Sequence, residues 1–343
     1  MIINHDYNRE QISSCMSFKY AELESTIVDA VKDAVEGKDV AVAFSGGLDS
    51  GLMSAIAKRY ANSVHLYTCG TDKAHDVMMA KDLSEKLELP WTQVQISKWN
   101  MEPLIKEMIT ATGTTDPFTI SYELQLFCVC REAKEDVVIT GQGADEYFMG
   151  CAKFVDQTDN DYEMQKNAAV ERLTKVSIPC ELAIAKHFGK DLLYPYMTNE
   201  VISGIEDLDQ DELRPKDMDS RKSILRDIAN NLGYPDIAAR KKKSSQYGSA
   251  TTDIIRALAR EKGMFYNEYI ASLCDEILSN DRTKLRGSVI NARIDSIVKV
   301  EAESILQQLG LSPSEAVEMF YRRIIEDGDT RSVEKSEGKD FSK

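Results

Sequence analysis

Histidine, paired cysteines and long apolar runs are scarce in this 343-residue chain, and each absence excludes a class of protein. The four histidines are too scattered to suggest a metal cluster, and none of the seven cysteines forms a C-x-x-C pair. Reduced structural thiols are therefore expected. No apolar run reaches about eighteen residues and no signal sequence opens the chain, so the sequence predicts a soluble cytoplasmic protein without a membrane span.

The most informative segment is Phe44-Ser45-Gly46-Gly47-Leu48-Asp49-Ser50. The apolar run from Val40 to Phe44 predicts a buried strand, and apolar residues at helical spacing follow from Leu52. A glycine turn between a strand and a helix presents unpaired backbone N–H groups at the positive end of the helix dipole, which makes an anion site. The chain has no G-x-x-x-x-G-K-S/T motif, so this is not a Walker loop. The residues predicted to bind the anion are Ser45, Gly46, Gly47, Asp49 and Ser50.

A second strand also ends in a glycine-rich turn that contains an acid. Val137–Ile139 reads as buried strand and runs into Thr140-Gly141-Gln142-Gly143-Ala144-Asp145-Glu146. Ligands gather at the carboxyl ends of such strands, so Gly141 and Gly143 join the predicted nucleotide site. Asp49 would repel a phosphate by itself, and two carboxylates can share a metal ion. Asp49 and Asp145 are therefore the predicted Mg²⁺ ligands.

These motifs resemble two features of known enzymes. The first segment resembles the pyrophosphatase loop, or PP-loop, of enzymes that split ATP into AMP and pyrophosphate. The second resembles the glycine-glutamate-glycine-x-aspartate-glutamate segment of the asparagine synthetase synthase domain. Further matches appear in the family's order, at His65–Thr68, Asp76, Ala80, Asp116-Pro117 and Tyr194-Pro195-Tyr196.

The resemblance covers residues 20–255 and implies a fold and a reaction. The expected fold class is α/β: a parallel-sheet PP-loop nucleotide-binding domain at residues 1–280, of which residues 156–280 form a mainly helical lobe. The expected cofactors are ATP and Mg²⁺. The family's chemistry activates a small-molecule carboxylate as an acyl-adenylate and passes the acyl group to an amine or ammonia.

A run of positive charge stands out in a chain whose formal net charge is −15. Arg240–Ser249 resembles the family's lysine loop, in which a lysine lies six residues before a glycine, and this spacing selects Lys242. The resemblance implies that Lys242 stabilises the charge that develops on the leaving pyrophosphate. A solvated surface loop is the alternative.

The chain departs from the family at Gln142, where asparagine synthetases usually carry glutamate. Relatives that close β-lactam rings carry tyrosine there, paired with a glutamate elsewhere. A glutamine can hydrogen-bond an incoming amine, but it cannot act as a base. Glu181 is the candidate base, and the alternative is a helix-start acid that follows Pro179. Lys242, Gln142 and Glu181 are therefore the predicted catalytic residues.

The sequence leaves the source of nitrogen open. The family's glutamine-hydrolysing domain needs a cysteine directly after the initiator methionine, and position 2 here is Ile2. Free ammonia, an amine substrate and ammonia from a separate glutaminase subunit are the three sources expected. The resemblance favours aspartate plus ammonia giving asparagine, and another amide-forming ligase is the alternative.

The last part of the chain predicts a different module. Ser288–Asp295 alternates like a half-buried strand, a helical pattern follows, and Ser312-Pro313-Ser314-Glu315 is a capping box before a second helix. Residues 286–329 resemble the ribbon-helix-helix fold of antitoxin proteins, and residues 330–343 have the composition of a disordered tail.

This resemblance implies a homodimer and a DNA partner. Two copies of the fold pair their strands, and Asn291 and Arg293 stand where that fold places its base-reading residues. A ribbon that only dimerises the enzyme is the alternative. A DNA-binding regulator with an ATP-sensing domain is the alternative function of the whole chain.

Overall fold

The computed structural model describes residues 19–240, 245–285, 294–308 and 311–327. The chain divides into two compact units, Met1–Asp281 and Arg282–Lys343. Lys242, Asn291 and Arg293 lie outside the described residues, as do most of the predicted ribbon strand and the predicted tail. None of the described helices combines the length and the apolar composition that a membrane span requires.

The centre of the first unit is a sheet in which all pairings are parallel. Its strands are β1 (Asp39–Ala43), β2 (Ser63–Gly70), β3 (Trp91–Gln95), β4 (Val137–Ile139) and β5 (Asp191–Leu193). Their spatial order is β3-β2-β1-β4-β5. The predicted α/β class is confirmed, and the strands predicted before Ser45 and at Val137–Ile139 are observed as β1 and β4. Strands β3 and β5 were not predicted. Strand β5 has three residues and lies in a region whose pattern is mainly helical.

Helices surround this sheet and continue into the second unit. They are α1 (Ala21–Val35), α2 (Leu48–Tyr60), α3 (His75–Leu87), α4 (Lys98–Thr112), α5 (Pro117–Glu132), α6 (Ala144–Tyr147), α7 (Asp159–Arg172), α8 (Ile178–Phe188), α9 (Asn199–Glu206), α10 (Gln210–Leu213), α11 (Ser223–Asn231), α12 (Pro235–Ala238), α13 (Ser245–Gly248), α14 (Thr251–Glu261), α15 (Tyr266–Leu285), α16 (Ser296–Gln308) and α17 (Pro313–Asp327).

The central strands β1 and β4 are buried on both faces, which explains why they are almost entirely apolar. Side chains alternate along β1, so that Val40 and Val42 enter one apolar cluster while Ala41 enters another. The first cluster gathers residues of α1, α2, α9 and α11, and the second gathers residues of α4, α5, α8 and α14. Two such layers hold the strand ends in fixed positions.

The strand order creates a switch point beside the central strand. From β1 the chain moves outward through β2 to β3, and it then returns to place β4 on the other side of β1. The loops that leave β1 and β4 therefore diverge at the carboxyl edge of the sheet, where open α/β sheets bind their ligands. The two glycine-rich segments follow these two strands.

In the second unit, the capping box predicted at the start of α17 is confirmed. The Ser312 hydroxyl accepts a hydrogen bond from the Glu315 backbone N–H at 3.3 Å, and the Glu315 carboxylate accepts one from the Ser312 backbone N–H at 2.8 Å. This reciprocal pairing satisfies two of the free N–H groups at the helix start.

Candidate active site

The loop between β1 and α2 forms one wall of the site. Gly46 has φ +69°, and a Cβ there would lie 2.4 Å from the backbone nitrogen of Ala80 on α3. Only glycine fits this close approach in the left-handed region. The Ser50 hydroxyl at the start of α2 accepts a hydrogen bond from the Ser45 backbone N–H at 3.2 Å, which closes the turn over the helix N-terminus.

The loop after β4 forms the facing wall and brings Asp145 close to Asp49. Gly141 makes this approach possible, because a Cβ there would lie 2.9 Å from the Asp49 side chain. Lys222, on the segment before α11, lies between the two acids. Its ammonium contacts Asp49 Oδ2 at 2.5 Å and Asp145 Oδ1 at 2.7 Å, and its side chain is only 3% exposed.

Three cationic side chains converge on the PP-loop from one short segment. Arg221, Lys222 and Arg226 line a cavity of about 40 Å³ whose opposite wall is Ser45–Asp49. Arg226 is held in place by backbone carbonyls, since its guanidinium donates to the carbonyls of Ala238 and Arg240. Backbone N–H groups at a helix start and three fixed cations make an anion site suited to a pyrophosphate.

The acids in this site fit a Mg²⁺ ion carried by ATP. Asp49 Oδ1 is buried and accepts no hydrogen bond from a described residue. The described residues contain no group of three or more His, Cys, Asp or Glu side chains that could hold a metal ion. Because Mg²⁺ is usually held by one or two carboxylates, with water and substrate phosphates as its other ligands, Asp49 and Asp145 fit such an ion.

A second, larger cavity adjoins the PP-loop on the side of α5 and α8. Its volume is about 170 Å³, and among its lining residues are Ser45, Asp49, Ser50, Gly141, Gln142, Asp145 and Glu181. Gln142 and Glu181 are in direct contact there, because the Gln142 amide Nε2 donates to Glu181 Oε1 at 2.5 Å. The side chain that replaces the family's usual glutamate therefore contacts the candidate base. Gly143 lines neither cavity and precedes α6 with φ +89°.

Burial governs the protonation of the acids in this cavity. Glu181 is 2% exposed, and burial raises its pKa to about 7. The Tyr194 hydroxyl, the Glu123 carboxyl and the Gln142 amide oppose part of that rise, because each can donate a hydrogen bond to the carboxylate. Glu123 on α5 is also buried, and burial followed by repulsion from Glu181 raises its pKa well above the ordinary value. The two acids therefore share protons at neutral pH.

The ends of the predicted lysine loop are anchored beside the site. Arg240 is 6% exposed and pairs with Asp82 on α3. On the other side of the loop, the Ser249 carbonyl accepts from the Thr71 N–H at 3.4 Å, and the Ser249 hydroxyl accepts from Gln125 at 3.1 Å. Gln125 itself lines the larger cavity. Lys242 thus belongs to a short segment whose two ends are fixed near the site.

Sequence reasoning missed four residues of this arrangement. Arg221, Lys222 and Arg226 follow an acid-rich stretch at residues 200–218 that reads as a solvated loop, and two basic residues before an amphipathic helix were the signal available. Glu123 carries no signal, because it lies within α5 among both polar and apolar residues. Only the folded structure shows these residues beside the glycine turns.

Comparison with known proteins agrees with this geometry. The family model for asparagine synthase matches residues 22–177, and the model for RelB antitoxin matches residues 287–330. The "Putative asparagine synthetase 1" of Methanocaldococcus jannaschii is 27% identical over 298 residues, which cover 75% of this chain and 55% of that protein. The carboxyethyl-arginine beta-lactam-synthase of Streptomyces clavuligerus is 25% identical over 253 residues, which cover 70% of this chain and 48% of that protein.

The chain spans about half the length of these curated relatives. Among solved structures, an NMN synthetase from Francisella tularensis is 14% identical, covers 81% of this chain and all of its own, and has a TM-score of 0.37. The fold assignment depends instead on the parallel sheet and its strand order. The glycine turns, the paired acids and the family match agree: residues 22–177 are similar to the asparagine synthase domain, and residues 287–330 are similar to RelB antitoxin.

Proposed function

We propose that the chain is an ATP-dependent ligase that forms AMP and pyrophosphate, activates a carboxylate as an acyl-adenylate and makes an amide. The observation that carries this proposal is the convergence of Arg221, Lys222 and Arg226 on the PP-loop. In a chain of formal net charge −15, three cations around one glycine turn indicate a site for a negatively charged ligand. They compensate the charge of a bound triphosphate and of the pyrophosphate that leaves.

The residues around the PP-loop divide the work of binding and activation. The Ser45–Gly47 backbone and the Ser50 hydroxyl hold phosphate oxygens, and Asp49 and Asp145 would hold Mg²⁺. When bound, this ion supplies positive charge to the phosphates. Lys222 offsets part of the negative charge of the two carboxylates, which reduces their repulsion of ATP. Lys242 stabilises the charge on the leaving pyrophosphate, where a cation acts most strongly once water is excluded.

Glu181 accepts the proton in the second half of the reaction. The amine nitrogen attacks the acyl carbon of the adenylate, AMP leaves with the electron pair of the broken C–O bond, and the nitrogen's proton passes to the Glu181 carboxylate. A carboxyl group whose pKa lies near the working pH is suited to this task. Gln142 orients Glu181 through its amide hydrogen bond.

Ammonia is the leading nitrogen donor and aspartate the leading acyl substrate, by similarity to the asparagine synthetases. An amine substrate, and ammonia from a separate glutaminase subunit, are the alternatives. Another amide ligase of the same superfamily is supported by the glutamine at position 142, since it differs from the family's usual residue.

A pyrophosphate-release screen tests the proposal. Full-length protein with Mg-ATP would be offered a panel of carboxylates, each alone, with ammonium salts and with primary amines. We expect pyrophosphate and AMP in equal amounts with at least one pair. Release of ADP and phosphate instead, or no turnover although ATP binds, would contradict the ligase assignment.

A second candidate function is supported by the RelB antitoxin match. Helices α16 and α17 expose many apolar side chains, namely Val298, Val300, Ile305, Val317, Met319, Phe320 and Tyr321. We propose that a second copy of the chain covers them in a ribbon-helix-helix homodimer, and that Asn291 and Arg293 read DNA bases. In this candidate the chain is a DNA-binding regulator whose ATP domain senses a ligand.

Truncation before Gly287 and the double variant Asn291→Ala/Arg293→Ala separate dimerisation from DNA reading. The truncation should give a monomer by light scattering and keep ATP chemistry. The double variant should stay dimeric and lose sequence preference, with each base contact worth about 1–3 kcal/mol. If the full-length dimer shows no salt-sensitive binding to its upstream DNA, the module only dimerises the enzyme. A monomeric full-length protein would contradict both roles.

A further inference from the structure

The larger cavity has an unusual charge balance. Five carboxyl groups line it, and of the described residues in its wall none is lysine, arginine or histidine; the acids are Asp49, Asp76, Glu123, Asp145 and Glu181. Lys222 compensates Asp49 and Asp145, and His75 lies 3.2 Å from the Asp76 carboxylate. Glu123 and Glu181 remain as the pair with no cation in direct contact among the described residues.

Both glutamates present an oxygen that no described residue satisfies. Glu123 Oε1 and Glu181 Oε2 are buried and accept no hydrogen bond of ordinary geometry from a described residue, and the residues are 3% and 2% exposed. Arg172 is a cation that acts on Glu123, but it already bonds Asp116 and Thr119 and stacks on Phe118. The proton that the two acids share leaves these two oxygens without a donor, and a buried oxygen without a donor costs free energy, so the cavity wall favours a donor from a ligand.

We propose that Glu123 and Glu181 bind the protonated amino group of the substrate, so that the ligase acts on a primary-ammonium compound and selects against dicarboxylic acids. This inference rests on the proposed function and names its substrate class. An ammonium group supplies three donors, and it would replace the proton that the two acids share and bond their two open oxygens. The amino group can belong to the acyl substrate or to the acceptor amine, and the chemistry of recognition is the same.

The negative charge of the cavity wall also explains why the proposed site selects against dicarboxylic acids. A second carboxylate on the acyl substrate would enter a wall that already holds an excess of acids, and like charges in a buried site repel. The amino group of aspartate should strengthen its binding to the cavity, and its α-carboxylate should weaken it. β-Alanine is aspartate without that carboxylate, so it should keep the favourable contact and avoid the repulsion.

Calorimetric titration of the full-length protein compares four compounds that differ only in these two groups. β-Alanine has the amino group alone, succinate has the extra carboxylate alone, aspartate has both and propionate has neither. The titrations are done with Mg²⁺ and α,β-methylene-ATP, which cannot release pyrophosphate, and again without nucleotide. Longer pairs, γ-aminobutyrate with butyrate and δ-aminovalerate with valerate, cover other substrate lengths. A comparison of ethylamine binding with ethanol binding tests whether the ammonium group belongs to the acceptor amine.

We expect one amino compound to bind at least about tenfold more tightly than its deaminated partner, and β-alanine to bind more tightly than aspartate. Glu123→Gln and Glu181→Gln should each remove about tenfold of that preference and leave binding of the deaminated partner unchanged. Both substitutions keep the side-chain shape, and thermal unfolding verifies that each variant folds. Glu107→Gln removes a carboxylate of an exposed ion pair with Arg131 and should change nothing.

Selectivity for an acyl amino acid and selectivity for ethylamine alone both support the inference and identify the source of the ammonium group. Equal binding of amino and deaminated partners, preference for succinate or aspartate, or no binding of any ammonium compound would overturn it. These readouts are affinities, so they stand even if the pyrophosphate screen shows no ligase activity. Conversely, a ligase that prefers aspartate would keep the proposed function and remove this substrate class.

Discussion

Two cavities meet at the carboxyl edge of one sheet, and they differ in whether cations compensate the negative charge of their acids. The smaller cavity is lined by Lys222, Arg221 and Arg226, and Lys222 bridges Asp49, which lines both cavities, and Asp145, which lines the larger one. In the larger cavity, Glu123 and Glu181 face each other without a cation in direct contact among the described residues. The smaller cavity is built to receive an anion, and the larger one to receive a cation.

The difference shows how one fold separates two halves of a reaction. Asp49 and Asp76 line both cavities, so the phosphate end and the acyl end of an adenylate would lie on either side of the same residues. Acids that contact a buried lysine can also share a metal ion. Uncompensated buried acids hold protons near neutral pH and can exchange them with a substrate.

The largest effect should come from removing a predicted metal ligand where the two cavities meet. Asp49→Asn and Asp145→Asn should each abolish ATP–pyrophosphate exchange, because each removes a charge that holds Mg²⁺. The fold should remain, since Lys222 keeps the other acid as its partner. Exchange assays with circular dichroism measure both. Asp253→Asn, in an exposed position on α14, is the control. Exchange at the parent rate in either variant would refute the two-carboxylate site.

Next in size is the stability effect of Lys222. Lys222→Met should lower the free energy of unfolding by about 3–5 kcal/mol without ligands, because it leaves two acids without their buried partner. Urea titration measures this loss. Lys175→Met is the matched control, since Lys175 is 73% exposed and its ion-pair partner among the described residues is Glu171. A loss below about 1 kcal/mol would mean that the bridge does not organise the smaller cavity.

Lys242 should affect rate more than binding. Lys242→Ala should lower the maximal rate about 10²–10³-fold while ATP affinity changes little, because the lysine acts on charge that appears in the transition state. Steady-state kinetics and an independent ATP titration separate the two quantities. A defect in ATP affinity alone would mean that the loop binds ATP in the ground state and does not stabilise the transition state. Full activity of the variant would mean that Lys242 does not belong to the site.

The smallest effect is a pH dependence of the free energy of unfolding, which comes from Glu181 in the larger cavity. Since the folded-state pKa of Glu181 is raised to about 7 from 4.5, the folded protein keeps a proton that the unfolded chain has released between these values. Stability should therefore fall as pH rises through this window and level off above it. Glu181→Gln should remove roughly 2–3 kcal/mol of this fall.

Urea titrations of both proteins across that window measure the difference, and Glu107→Gln is again the control. An unchanged slope in Glu181→Gln would mean that Glu181 is ionised in the folded protein at all these pH values. The larger cavity would then not differ from the smaller one in protonation.

Local sequence determined much of this protein. The apolar run before Ser45 and the helical spacing after Leu52 predicted β1 and α2, because strand and helix periodicities appear in a few consecutive residues. The capping box at Ser312 was readable for the same reason. Glycine turns after two strands placed the site at the sheet edge, since parallel strands share one carboxyl end.

Tertiary structure alone decided which charges meet. Lys222 lies 173 positions from Asp49 in the chain, and no local pattern links them. Glu123 lies on α5 and Glu181 on α8, so their pairing depends on how these two helices pack against each other. Strand β5 itself is held by its neighbour β4 and not by its own three residues. The sequence therefore determined the turns and the anion site, while long-range packing determined the compensation of charge, because charge compensation depends on distances in space.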